Sequence, residues 1–171
     1  GISNMDYVRS EDIPNIELYM DQVTSFMDEQ LSSSKRYDDD KILTKTMINN
    51  YAKNNLLPPP VKKKYSKEHV VVMIFIYYFK TILSIKDIET ILTPITEKYF
   101  DTDSAVDVAS IYEEVCDTAK SQIQNLKDEV REAYETSQNT FKDMEGLSDS
   151  DQEYLQLFSL ISSLSFDVYA K

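Results

Sequence analysis

The chain has 171 residues and a formal net charge of −12, from 18 basic and 30 acidic side chains. Its hydrophobic content of 42% can bury one sizeable core, in one domain or two small lobes. The two glycines, Gly1 and Gly146, exclude glycine-rich phosphate-binding loops and favour an all-α fold. Cys116 is the sole cysteine, so no internal disulfide can form, and we expect a reducing, cytoplasmic location.

The first predicted element is an amphipathic helix over about residues 15–31. Its apolar side chains recur at spacings of three and four residues, which places them on one face of a helix. They are Ile16, Tyr19, Met20, Val23, Phe26, Met27 and Leu31. Residues 1–14 are expected to form a loosely held arm, and residues 32–41 a polar connector without a core face.

A short helix of about twelve residues is predicted next, with Thr44 as its N-cap. Asn54 and Asn55 can take the left-handed conformation that ends a helix, and the prolines at 58–60 prevent its continuation. The side chains expected on its buried side are Met47, Ile48, Tyr51 and Ala52.

Ser66 is predicted to cap a central helix over about residues 67–83, which is apolar nearly all round. Its apolar run is about half as long as a membrane-spanning helix requires, so we expect no membrane insertion. Ser84 with Asp87 forms a capping box for a further helix that ends near Lys98.

A capping box of Ser104 with Asp107 is predicted to open the longest helix, which runs to about Lys142. Ser148 with Asp151 opens the last helix, which has little polar face. A helix this apolar must be covered, either by its own chain or by a second subunit.

Neither a catalytic centre nor a metal or cofactor site is expected. His69 is the sole histidine, and a solvated or capping role is favoured for it over catalysis. The acidic segment 101–107 begins like a calcium loop but has Val106 where that loop needs Gly, and Tyr112 where it needs Glu. The chain is therefore predicted not to be an enzyme.

The segment from Lys41 to Lys67 contains seven lysines and no Asp, Glu or Arg. Clustered cations on an otherwise acidic chain indicate a surface for an anionic partner, here double-stranded DNA. The polar face of the short helix offers side chains for base edges and phosphates, namely Lys45, Asn49, Asn50 and Lys53. Lys62, Lys63 and Lys64 follow on a proline-stiffened turn that suits phosphate contacts. Alternatively, these side chains are merely solvated.

Part of this region resembles the MerR-type helix-turn-helix. The similar segments are Thr46-Met47-Ile48-Asn49-Asn50-Tyr51, Leu56-Leu57-Pro58-Pro59, Lys63-Lys64-Tyr65-Ser66 and Leu83-Ser84-Ile85-Lys86-Asp87-Ile88. The resemblance implies that Asn49 replaces a base-contacting Arg, that Tyr51 matches a conserved Tyr, and that Lys63 and Tyr65 lie at the wing. It also implies a homodimer formed through a long helix.

Residues 42–65, with Leu18-Tyr19-Met20-Asp21-Gln22-Val23 before them, more closely resemble domain-of-unknown-function family 1836. That family is a set of small bacterial proteins usually regarded as MerR-like. Together with the helices predicted above, the resemblance leads us to expect an all-α fold in which a MerR-like helix-turn-helix is followed by a long helix and an apolar C-terminal helix. The helix-turn-helix domain would occupy residues 1–100, and a helical lobe that possesses a dimerisation surface would occupy residues 101–171.

We therefore expect a cytoplasmic, DNA-binding transcriptional regulator. The residues predicted to contact DNA are Lys45, Thr46, Asn49, Asn50, Tyr51, Lys53, Lys62, Lys63, Lys64, Tyr65 and Lys67. Two alternatives remain open: a protein-interaction module on a helix-turn-helix scaffold, in which the lysines bind an acidic protein, and a sensor whose C-terminal lobe holds a small hydrophobic effector.

Overall fold

The computed structural model describes residues 7–32, 35, 37, 39 and 41–170. The described residues up to Thr118 form one compact unit, and those from Ala119 onward form another. The elements are β1 (Leu18–Tyr19), α1 (Met20–Leu31), α2 (Lys45–Lys53), β2 (Lys64–Tyr65), α3 (Lys67–Phe79), α4 (Ile85–Tyr99), α5 (Val108–Ser137) and α6 (Asp149–Ala170). The predicted all-α character is confirmed, with one small two-stranded sheet in addition.

The centre of the first unit is α3, as its composition predicted. Every side chain from His69 to Ile76 is buried, because the helix is apolar on all sides and is surrounded by other elements. The core around it includes Val23 of α1, Ile48 of α2 and Ile88 of α4, none of which is exposed to solvent. This shared core fixes α2 relative to its neighbours.

The segment 7–14 packs against the rest of the first unit, so the predicted loose arm is wrong for these residues. Residues 1–6 lie outside the described part. The backbone N–H of Val8 donates to the Tyr78 hydroxyl at 3.1 Å, and the Tyr112 hydroxyl donates to the Val8 carbonyl. Val8 and Ile13 are each 3% exposed. Two buried apolar side chains and paired backbone groups hold the segment in place.

Several predicted helix ends are confirmed by their caps. The Thr44 hydroxyl accepts from the Met47 N–H at 3.2 Å, and the Ser84 hydroxyl accepts from the Asp87 N–H at 3.2 Å. The Ser148 hydroxyl likewise accepts from a backbone N–H, at 3.1 Å, at the start of α6. These short-range bonds satisfy N–H groups that have no partner inside a helix.

The start of α5 differs from the prediction. Asp107 is its N-cap: its Oδ1 accepts from the Ser110 N–H at 2.8 Å, and its own N–H donates to the Ser110 hydroxyl at 2.9 Å. Ser104 instead accepts from the Val106 N–H at 3.3 Å in the preceding loop. The predicted box of Ser104 with Asp107 is therefore wrong by one turn.

The second unit is built from the later part of α5 and from α6. The Gln156 side chain is buried, and its amide donates to the Gln138 and Thr140 carbonyls at 3.3 and 3.0 Å. These bonds satisfy carbonyls of the segment that follows the C-terminal end of α5 at Ser137. Across the part of the chain that the structure describes, no helix is both long and apolar enough to cross a bilayer.

Candidate nucleic-acid interface

Helix α2 presents one buried face and one exposed polar face. Ile48 and Tyr51 are buried against the core of the first unit. Asn55, with φ of 59°, takes the left-handed conformation just after the helix, as predicted. The exposed side chains are Lys45, Thr46, Asn49, Asn50 and Lys53. The helix therefore offers amide and ammonium groups to solvent on a rigid, core-anchored element.

A tight hairpin turn follows the prolines, centred on Lys62 and Lys63. Val61 and Lys64 form an antiparallel bridge, with their N–H groups donating to each other's carbonyls at 3.1 and 2.9 Å. Lys62 and Lys63 have φ of 51° and 63°, the pattern of a type I′ turn. Both side chains are exposed. Asn and Gly normally occupy these two positions, so the sequence carried no usual signal for this hairpin.

The left-handed conformation is unfavourable for lysine. It brings Cβ close to the following carbonyl oxygen and costs roughly 1–2 kcal/mol per residue. Two adjacent lysines at the tip of an exposed turn are thus a departure from the most stable choice. Such departures concentrate at functional sites.

The start of α2 and the hairpin are attached to the same short stretch, the junction of β1 and α1. Strand β2 pairs with β1, with Lys64 opposite Tyr19, and the Lys64 ammonium lies 5.4 Å from the centre of the Tyr19 ring. Two residues further along, Asp21 forms an ion pair with Lys45 at the start of α2. We call the exposed side chains of α2 together with Lys62 and Lys63 the basic face.

His69 ties the entry of the hairpin to the start of α3. Its Nδ1 accepts from the Ser66 N–H at 2.9 Å, so its Nε2 carries the proton and donates to the Pro59 carbonyl at 3.1 Å. The ring also packs edge-on against Tyr65 and Phe100. Burial lowers the pKa of His69, which keeps the imidazole neutral. The predicted capping role is confirmed, while the ring is 3% exposed rather than solvated.

Three predicted contact residues lie partly or wholly beneath the surface. Tyr51 is 6% exposed, and its carbonyl accepts from the Leu56 and Leu57 N–H groups at 2.9 and 3.2 Å. Tyr65 is 2% exposed, and burial raises the pKa of its phenol. Lys67 is half-buried at the first position of α3. The Tyr51 and Tyr65 rings lie beneath the basic face, so these two residues are not part of its contact surface.

The charges of the basic face are mostly uncompensated at short range. Among the described residues, no carboxylate lies within salt-bridging distance of Lys53, Lys62 or Lys63, whereas Lys45 is paired with Asp21. Acidic groups elsewhere on the chain are screened beyond a Debye length of about 8–10 Å. A positive local potential at this face is therefore compatible with the net charge of −12.

Other concave regions have a different chemistry. Within the first unit, seven apolar side chains of α3, α4 and α5 line a groove of about 180 Å³. Within the second unit, a groove of about 410 Å³ is lined by carboxylates and hydroxyl groups, with Ala133 and Leu164. Over the described residues, no group of three or more His, Cys, Asp or Glu side chains is placed to hold a metal ion.

A family model described as "Domain of unknown function (DUF1836)" matches residues 8–115. The match covers more than half of the chain and contains the whole basic face. No curated protein and no solved structure matches the chain significantly.

Proposed function

The chain belongs to the DUF1836 family, and we propose that this member is a non-enzymatic, DNA-binding transcriptional regulator. The observation that carries the proposal is the turn of Lys62 and Lys63. Both lysines are exposed, neither is paired with a carboxylate of the described residues, and both have a strained backbone conformation. A phosphate-binding role gives a reason for retaining lysine where Asn and Gly would be more stable.

The hairpin turn supplies the contacts that set position on a duplex. Ammonium groups at the tip of a narrow turn can approach the phosphates of one strand without a clash from neighbouring side chains. Lys64, stacked on Tyr19, contributes charge at the base of the same hairpin. These contacts carry no sequence information of their own.

Helix α2 supplies the contacts that discriminate between bases. Asn49 and Asn50 are exposed in its middle, and an Asn side chain can bind the N6 and N7 edge of adenine in the major groove. Lys45 and Lys53 lie near the two ends of the helix and suit flanking phosphates. In this proposal α2 is the recognition helix.

A MerR-like helix-turn-helix is the finer arrangement that we propose for this region, on the strength of the sequence resemblance. In such a motif α1 would be the first helix and α2 the second. The connection between Leu31 and Lys45 is longer than the usual turn of three or four residues. The proposal therefore rests on α2 and the hairpin rather than on the angle between the two helices.

Salt-dependent binding to duplex DNA tests this function. If about five lysines neutralise phosphates, the affinity should fall roughly 500-fold between 50 and 200 mM salt, because bound counterions are released. The double variant Lys62→Glu with Lys63→Glu should lose most of its affinity at every salt concentration. Mobility shift on a mixture of genomic duplex fragments measures both effects.

The matched control is Lys86→Glu with Lys120→Glu, which makes the same change in net charge at two exposed lysines outside the basic face. This variant should bind nearly as well as the parent. Absence of binding by the parent would contradict the proposal. So would equal losses in the two double variants, because the effect would then come from net charge alone.

The two alternatives predict other outcomes. An interaction module would bind an acidic protein through the same lysines and would leave duplex DNA unshifted. A sensor for a hydrophobic effector was expected to have an apolar cavity in its C-terminal lobe, whereas the groove of the second unit contains Glu129, Glu132 and Asp167. That groove gives the sensor no support.

A further inference from the structure

The second unit buries no large apolar side chain. Within the described residues from 119 onward, the buried ones are Ser137 and Gln156, both polar. Apolar side chains of α6 are instead widely exposed. Folding of a helical pair normally depends on burying apolar area, since propensity alone stabilises helices only marginally. The later part of α5 and α6 therefore do not form a complete hydrophobic core by themselves.

Helix α6 has its polar side towards α5. The Gln156 amide donates to carbonyls just after the end of α5, and Ser159, Ser163 and Asp167 line the groove that the two helices share. Some half-buried leucines contribute to this side as well. The arrangement leaves the most apolar stripe of α6 on the opposite side.

That stripe follows a heptad spacing, and we call it the α6 stripe. Tyr154, Ile161 and Val168 recur every seven residues and are 67%, 56% and 76% exposed. Leu157 and Phe158 fill the positions between the first two and are 53% and 61% exposed. From Tyr154 to Ile161 the spacings of three and four residues are those of a helix that packs against a second helix, while Leu164 and Ser165 occupy the corresponding positions before Val168.

We propose that the α6 stripe binds the α6 stripe of a second copy of this chain, which completes the core of the second unit as a four-helix arrangement. The charge pattern argues for a second copy. No charged residue occurs between Tyr154 and Phe166, although the chain from residue 119 onward carries five basic and ten acidic side chains. Two copies can approach along the stripe without the repulsion that other faces of this acidic unit would produce.

The exposed apolar area of the stripe is also close to that of a typical interface. A whole aromatic side chain presents about 150–250 Å². Tyr154 and Phe158 expose 67% and 61% of theirs, and the branched aliphatic residues of the stripe add to this area. A stable interface needs about 800 Å² on each partner, which the stripe approaches. Ser165, the small polar residue within it, donates its hydroxyl to the Ile161 carbonyl at 2.8 Å and needs no partner from a second chain.

Light scattering after size-exclusion chromatography tests the proposal on the full chain. The parent should have twice the 19.8 kDa mass of one chain, and Ile161→Asp should have the mass of a monomer. Phe166→Asp is the matched control, since Phe166 is 74% exposed on the same helix but lies off the stripe. This variant should remain a dimer. A monomeric parent, or a dimer that survives Ile161→Asp, would overturn the proposal.

Cysteine cross-linking keeps the test decisive if Ile161→Asp fails to fold. Ile161 is the middle residue of the stripe, so a symmetric pair that is centred on the stripe brings it next to its own symmetry mate whether the two helices run parallel or antiparallel. In a Cys116→Ala background, Ile161→Cys should form a disulfide dimer on mild oxidation, and Phe166→Cys should form several-fold less. Equal yields from the two variants would refute the stripe as the contact. The outcome does not depend on whether the protein binds DNA.

Discussion

At Lys62 and Lys63, protein stability and DNA binding favour different residues. Their left-handed backbone favours Asn and Gly, while their exposed ammonium groups suit phosphates. The Thr44, Ser84 and Ser148 caps were predictable from sequence, because capping joins neighbouring residues. A turn at Lys62–Lys64 was likewise predicted, but its left-handed conformation was not, because Asn and Gly, rather than lysine, are the usual signals for it.

Replacing the turn with its preferred residues should therefore stabilise the protein and impair binding. Lys62→Asn with Lys63→Gly should raise the free energy of unfolding by about 1–3 kcal/mol, since the strain of two lysines is relieved and the freedom of Gly in the unfolded chain offsets part of the gain. Its affinity for duplex DNA should fall, since two phosphate contacts are lost. Thermal unfolding and fluorescence anisotropy measure the two changes separately.

Lys53→Gln is the comparison for this prediction. It removes a positive charge from an ordinary helical position, so it should weaken DNA binding without a gain in stability. If the turn variant is no more stable than the parent, the left-handed conformation of Lys62 and Lys63 is not a source of strain.

At the scale of elements, the hairpin and α3 are joined by a neutral histidine. Because burial lowers the pKa of His69, the folded chain binds its proton less readily than the unfolded chain. The Pro59 and Pro58 carbonyls, and the charges of Asp101 and Glu17, raise the pKa of His69 but do not outweigh burial. Protonation would place a hydrogen on Nδ1, which now accepts from the Ser66 N–H.

The stability contributed by His69 should thus be complete above about pH 6.5 and decrease as the pH falls towards its lower folded pKa. Thermal unfolding between about pH 7.5 and pH 5.5 should show this loss in the parent. His69→Gln should flatten the profile, because Gln can complete the capping box with Ser66 and does not titrate.

The neighbouring Glu68 changes stability in the opposite direction. Burial raises its pKa, so its contribution grows as the pH falls, and this contribution is common to the parent and His69→Gln. The difference between the two profiles therefore isolates His69. Parallel profiles would show that His69 is not the acid-sensitive contact of the hairpin.

Element boundaries show where sequence patterns stop being informative. The apolar stripe of residues 15–31 predicted α1, yet Leu18 and Tyr19 form a strand, because β2 lies beside them. A strand of two residues has no periodicity to detect. Segment 7–14 was misjudged for a similar reason: its partners, Tyr78 and Tyr112, are far away in sequence.

At the scale of the whole molecule, the features that depend only on amino-acid composition were predicted correctly. The central position of α3 and the excess apolar character of α6 follow from apolar content alone. The outward direction of the α6 stripe depends on the polar contacts of Gln156 with α5, and these are specified by tertiary structure. The chain therefore combines a unit with its own core and a unit whose core we propose to be shared between copies.

The central claim is that α2 and the lysine hairpin bind DNA together, and an NMR titration tests it most directly. Titration of the isotope-labelled full chain with a short duplex should shift the backbone amide signals of Asn49, Asn50, Lys62 and Lys63 at the same DNA concentration. Signals of α4 and of residues 149–170 should move far less. If DNA shifts other signals but not those of α2 and the hairpin, or shifts no signals at all, the account is contradicted.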